Sequence, residues 1–158
     1  MSPEYFRAAT LHVPFVDPVS AMLNPDLPLT SVETAEWGDP VANRSDYCTI
    51  RHYSPYENTH LLASANHVPS ILVTAGGQDK RVSVWQPAKW VARMRDSGCF
   101  EPHTDNDNPK CSRGRSRLLF YPKMNEGHFH TNSNDGGFIN AHAFRNAFLI
   151  REVEGTEA

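Results

Sequence analysis

The segment that most constrains the fold is a largely apolar run, residues 70–75, which is followed by two glycines and then by Asp79. A continuous apolar run of this length is typical of a strand covered on both faces of a parallel sheet. A second run, residues 117–122, is followed in the same way by Gly127 and His128. Parallel strands present the loops at their carboxyl ends to one common site. The sequence therefore predicts that Asp79 and His128 belong to one site.

An aspartate at one strand tip and a histidine at a later one follow the chain order of the last two members of an α/β-hydrolase triad. The first member, a serine in a Gly-x-Ser-x-Gly turn, is absent from the 158 residues. Ser116 follows Gly114, but the pair lies in a polar stretch without a preceding strand, where a nucleophile turn cannot form. The sequence thus predicts two catalytic groups without their nucleophile.

The residues alone leave other interpretations open. An aspartate after two glycines is common in turns, and His128 is one of eight histidines. His130 competes with His128 for the catalytic role, although the adjacent Gly127 favours His128. The two histidines could also be metal ligands, but a third and a fourth ligand at a defined spacing are missing. We therefore expect no metal and no other cofactor.

Further charged residues are candidates for substrate binding. Arg81 lies two residues after Asp79, where a guanidinium could clamp a substrate carbonyl or carboxylate, or could form a surface ion pair. Glu33 and Glu36 could provide negative charge for a cationic substrate side chain, or could cap a short helix near Trp37.

Composition narrows the class of protein and its location. Charged residues make up 21% of the chain and the net charge is -3, which favours neither nucleic-acid binding nor a polybasic membrane contact. No run approaches the ~18 apolar residues of a membrane helix, and the first residues do not resemble a secretory signal. Three widely spaced cysteines favour free thiols in a reducing compartment. We therefore expect a cytoplasmic protein.

The rest of the chain predicts parallel strand–helix units. The expected elements are a short strand over 8–17, loop and short helix over 17–40, an irregular aromatic-rich stretch over 46–58, a helix over 86–98 with Gly98 as its stop, a polar insertion over 100–116, and a closing helix over 138–150. The closing helix is expected to bury Phe138, Phe144, Phe148 and Leu149 as one apolar stripe.

Several segments, taken in order, resemble the prolyl oligopeptidase family of serine peptidases, and most closely its oligopeptidase B branch. The similarity extends from about residue 3 to residue 149. It rests on LHVPFVD (11–17), PLT (28–30), EWGDP (36–40), YSPYEN (53–58), LVTAGGQDKRV (72–82) and QPAKWVA (86–92).

The resemblance implies a role for each candidate residue. Asp79 matches the triad aspartate and His128 the triad histidine, while Arg81 matches the arginine that contacts substrate. Glu33 matches one of two acidic residues that direct cleavage after Arg or Lys in the oligopeptidase B branch. The second acidic position is Ala35 in this chain.

The implied fold is the C-terminal half of an α/β-hydrolase, with residues 1–158 as a partial catalytic domain that lacks the nucleophile turn and the β-propeller. The implied activity is hydrolysis of short peptides by a serine oligopeptidase, and we expect this chain to be inactive alone. Its expected partners are a peptide substrate and the N-terminal half of the hydrolase domain. The alternatives are a non-catalytic interaction module and a truncated gene product of the same family.

Overall fold

A computed structural model describes residues 3–65, 67–100, 116–129 and 137–155. Most of the predicted polar insertion and His130 lie outside the described residues. The strands are β1 (Ala8–His12), β2 (Ser70–Gly76) and β3 (Leu118–Lys123). A short 3-10 helix covers Pro3–Tyr5. The α-helices are α1 (Pro18–Met22), α2 (Thr30–Trp37), α3 (Arg44–Tyr53), α4 (Thr59–Ala63), α5 (Trp85–Asp96) and α6 (Gly137–Glu154).

The described strands form one parallel sheet in the order β1-β2-β3. Every residue of β2 is buried, as expected for a strand with a neighbour on each side and helices on both faces. The register pairs Thr74 with His12 of β1 and with Tyr121 of β3. The predicted strands, their parallel arrangement and the α/β class are therefore confirmed.

Helix α5 covers one face of the sheet. Its buried residues Trp90, Val91 and Met94 belong to the same apolar cluster as Ile71 and Val73 of β2. Alternate side chains of a strand point to opposite faces, so Leu72 and Thr74 point to the other face, where α6 packs. Gly98 has a φ of 72° just past the end of α5, and this left-handed conformation confirms its predicted role as the stop.

Two predictions about the first half of the chain are corrected. β1 ends at His12 because Val13 adopts a φ of 41°, which no strand residue has. The stretch predicted as irregular includes most of α3, for which Asn43 is the N-cap and accepts a hydrogen bond from the Ser45 amide at 2.8 Å. The aromatic residues of this stretch had suggested irregular structure, but Tyr47 instead packs on a cluster shared with α1.

The prediction of one apolar stripe on α6 is also wrong in part. Phe148 is buried, but Phe138 and Phe144 are exposed. The buried positions are Ala141, Phe148 and Glu152, which are seven and four residues apart and therefore lie on one side of the helix. None of the helices described by the structure is long and apolar enough to cross a membrane.

Candidate active site

The loops that follow β2 and β3 lie against each other at the carboxyl edge of the sheet. The amide of Gly77 donates to the carbonyl of Lys123 at 2.9 Å, and the amide of Gln78 donates to the carbonyl of Glu126 at 2.9 Å. A Cβ atom on Gly77 would lie 2.6 Å from Cα of Met124, a separation that side chains do not tolerate. The glycines of the β2 loop therefore allow the two backbones to approach.

Asp79 is held in place by its own loop. Its Oδ1 accepts hydrogen bonds from the amides of Arg81 at 2.8 Å and Val82 at 3.0 Å, which is the pattern of an Asx turn. Its side chain is completely buried. The other oxygen, Oδ2, lies 2.9 Å from Nδ1 of His128. Both carboxylate oxygens of Asp79 therefore have hydrogen-bond partners.

This contact determines which nitrogen of His128 carries the proton in the neutral ring. An ionised carboxylate only accepts hydrogen bonds, so Nδ1 is the donor to Asp79. In the neutral imidazole, Nε2 is then an acceptor. The side chain of His128 is 24% exposed and lines a cavity of about 250 Å³. A basic nitrogen fixed beside a cavity can take a proton from a bound hydroxyl.

Arg81 and Phe129 flank the histidine. The ring of Phe129 meets that of His128 edge to face, with 4.8 Å between centroids. The guanidinium carbon of Arg81 lies 5.3 Å from the centroid of Phe129, within the range of a cation–π contact. Within the described parts of the chain, the Arg81 guanidinium has no carboxylate partner, so its charge is available to the cavity that it lines.

The opposite wall of the cavity comes from α1, α2 and the loops around them. Glu33 lines the cavity from α2, and its Oε2 accepts a hydrogen bond from the indole Nε1 of Trp37 at 3.2 Å. Ala35 is exposed and does not line the cavity. The apolar lining is Phe15, Ala21, Met22, Leu27, Leu29, Trp37 and Val82. Three of the four predicted site residues, Glu33, Arg81 and His128, therefore share one cavity, with Asp79 buried behind His128.

Sequence reasoning missed the aromatic residues of the site. Trp37 contacts Phe15 with 5.3 Å between ring centroids and Tyr53 with 6.3 Å. Partial burial raises the pKa of the Tyr53 hydroxyl. The spacing of four residues between Glu33 and Trp37 was the available signal, because such pairs meet on one side of a helix. Among the described residues, no cluster of three or more His, Cys, Asp or Glu could hold a metal ion.

A parallel sheet between helices, with an aspartate and a histidine in contact at its carboxyl edge, is the arrangement expected for the C-terminal part of an α/β-hydrolase. Solved structures confirm this fold. Oligopeptidase B from Leishmania major has a TM-score of 0.76 at 32% identity, covering 96% of this chain and 18% of that one. Oligopeptidase B from Trypanosoma brucei with covalently bound antipain has a TM-score of 0.75 at 30% identity, covering 98% of this chain and 19% of that one.

The sequence comparisons identify the family. The Prolyl oligopeptidase family matches over residues 1–156. Protease 2 from Moraxella lacunata is 39% identical over 129 residues, which are 82% of this chain and 16% of that protein. The chain belongs to the prolyl oligopeptidase family of serine peptidases, and it spans less than a fifth of the length of these relatives.

Proposed function

We propose that this chain forms part of the catalytic domain of a serine-type oligopeptidase that hydrolyses short peptides. In this proposal Asp79 and His128 are two members of its triad. The observation that carries the proposal is the 2.9 Å contact between Asp79 Oδ2 and His128 Nδ1, at the wall of a cavity that Arg81 also lines. The nucleophilic serine would come from residues outside these 158, because no Gly-x-Ser-x-Gly occurs within them.

In the proposed reaction, Nε2 of His128 takes the proton of the serine hydroxyl as its oxygen attacks the peptide carbonyl carbon. The imidazolium then gives this proton to the leaving amine as the peptide C–N bond breaks, which leaves an acyl ester on the serine. Water, deprotonated by the same nitrogen, cleaves the ester and restores the serine. Asp79 holds the tautomer and stabilises the imidazolium, since its buried carboxylate is within hydrogen-bond distance of Nδ1.

The charged walls of the cavity suggest how a peptide would be held. Arg81 would contact a substrate carbonyl or carboxylate, because its guanidinium presents paired donors. Glu33 would attract a cationic side chain of the substrate, which supports cleavage after Arg or Lys. The apolar lining between them would cover the aliphatic part of a long side chain.

A direct test uses the native protein from its own cells, captured with an antibody against residues 102–115. Fluorophosphonate probes label only activated serines, so we expect labelling of a band much heavier than 17.7 kDa that contains a Gly-x-Ser-x-Gly peptide. His128→Ala should abolish labelling, whereas His60→Ala, an exposed histidine of α4, should not. A native band of 17.7 kDa without labelling would refute the proposal.

The chain alone should not hydrolyse peptides, since loss of the nucleophile costs roughly a millionfold in rate.

The proposal includes a partner and a location. The partner is the segment that carries the serine and completes the hydrolase sheet beside this chain. The location is the cytoplasm, supported by Cys48, a free thiol of the kind that persists in reducing compartments. Cell fractionation with the same antibody tests the location.

A further inference from the structure

The indole of Trp37 restrains the carboxylate of Glu33. Nε1 of Trp37 lies 3.2 Å from Glu33 Oε2, and the ring is held edge to face by Phe15 at 5.3 Å. Trp37 also packs on the cluster formed by Val19, Met22 and Ile50. An aromatic ring packed in this way has little rotational freedom, so its N–H is a fixed donor.

Glu33 is the acidic residue of the cavity on which this restraint acts. Within the described part of the chain it has no cationic partner, and the neighbouring Glu36 is exposed and does not line the cavity. A glutamate side chain loses conformational entropy when a ligand immobilises it. A carboxylate already oriented by a fixed donor has lost that freedom before the ligand arrives, which strengthens ligand binding.

We propose that Trp37 is a positioning residue that sets how strongly the cavity prefers a cationic side chain over a neutral one of the same shape. The indole N–H fixes one oxygen of Glu33 and leaves the other to accept a hydrogen bond from a guanidinium or ammonium group. The proposal deepens the proposed function and rests on it. It assigns selectivity to a pair of residues rather than to Glu33 alone.

The test compares kcat/KM of the native full-length protein for two matched peptides, one with arginine and one with citrulline at the cleavage position. Citrulline has nearly the shape of arginine but no charge. Trp37→Phe keeps an aromatic ring and removes the donor, and we expect it to lower the arginine-to-citrulline ratio roughly tenfold, as for the loss of one hydrogen bond to a charged group. The change should appear in KM rather than kcat. Glu36→Gln is the matched control and should leave the ratio unchanged.

A second variant covers the case in which Trp37→Phe does not fold. Glu33→Asp keeps the charge but shortens the side chain beyond reach of the indole, and it should lower the ratio to a similar extent. Combining Trp37→Phe with Glu33→Gln should have no further effect on the ratio beyond that of Glu33→Gln alone. Equal losses for both peptides, or an unchanged ratio, would overturn the inference.

Calorimetric binding of argininamide separates this inference from the proposed function, because binding needs no serine. If the protein binds argininamide in a Trp37-dependent manner but hydrolyses neither peptide, the inference stands and the proposed function fails. If it hydrolyses both with a ratio insensitive to Trp37→Phe, the inference alone fails. If it neither hydrolyses the peptides nor binds argininamide, both fail.

Discussion

A Cβ atom on Gly76 would lie 2.3 Å from the carbonyl oxygen of Gly127. The last residue of β2 and the residue before His128 are therefore in backbone contact, and this contact brings the loop of His128 to Asp79. The distance between the two proposed catalytic groups depends on the absence of a side chain at Gly76.

Gly76→Ala should displace the histidine loop. The added methyl group meets backbone atoms that belong to a hydrogen-bonded loop, so relief requires a shift of the whole loop. We expect a loss of about 2 kcal/mol in the free energy of unfolding and a fall in fluorophosphonate labelling, measured by thermal unfolding and by gel. Gly127→Ala is the matched control, because its Cβ would lie 3.8 Å from the nearest atom, the Gln78 carbonyl oxygen. If the two variants behave alike, the contact does not position the loop.

Asp79→Asn should abolish most of the activity with little change in substrate affinity. The asparagine oxygen can still accept from the amides of Arg81 and Val82, so the loop should persist. An amide group neither ensures that His128 donates through Nδ1 nor stabilises the imidazolium. We therefore expect kcat to fall roughly 10⁴-fold. Asp26→Asn, at an exposed position, serves as the control. A rate within tenfold of the parent protein would show that Asp79 does not orient the histidine.

Phe129→Ala should weaken substrate binding more than it slows the chemical step. The substitution removes the ring that lies beneath the Arg81 guanidinium at 5.3 Å. Cation–π contacts at exposed positions contribute about 0.5–1 kcal/mol, so KM should rise a few-fold and kcat should change less. Phe129→Tyr keeps the aromatic face and should preserve KM. Steady-state kinetics on a short peptide measure KM and kcat separately. A loss confined to kcat would contradict a role of Phe129 in substrate binding.

Glu152→Gln should lower stability without altering catalysis. Glu152 is buried on α6 and joins the amino ends of two strands, where its carboxylate accepts from Ser70 Oγ at 2.7 Å and pairs with Arg117 at 2.9 Å. Removing its charge leaves Arg117 without this partner, and we expect a loss of about 1–2 kcal/mol. Glu154→Gln is the control, because Glu154 is exposed on the last turn of α6. Thermal unfolding measures both. Equal melting temperatures would mean that the buried network contributes nothing.

Much of the fold could be predicted from the sequence because its signals are local. The apolar run of β2 indicates a buried strand without any knowledge of the surrounding fold. Gly98 ends α5 through its own backbone conformation. Helix α3 was missed because its stabilising contacts are tertiary. Tyr47 and Ile50 pack on α1, and a polar and aromatic composition does not reveal that packing.

The sequence by itself determined the parallel α/β class, the family and the acid-then-histidine order at the strand tips, because apolar runs, glycines and motifs are properties of neighbouring residues. Only the tertiary structure decided that β2 and β3 are adjacent, which brings Asp79 and His128 to 2.9 Å across 49 residues. It alone placed Phe15 against Trp37 and both rings in the cavity with Glu33. Side chains from separate helices and loops meet through packing, and packing depends on shapes in three dimensions that no local pattern encodes.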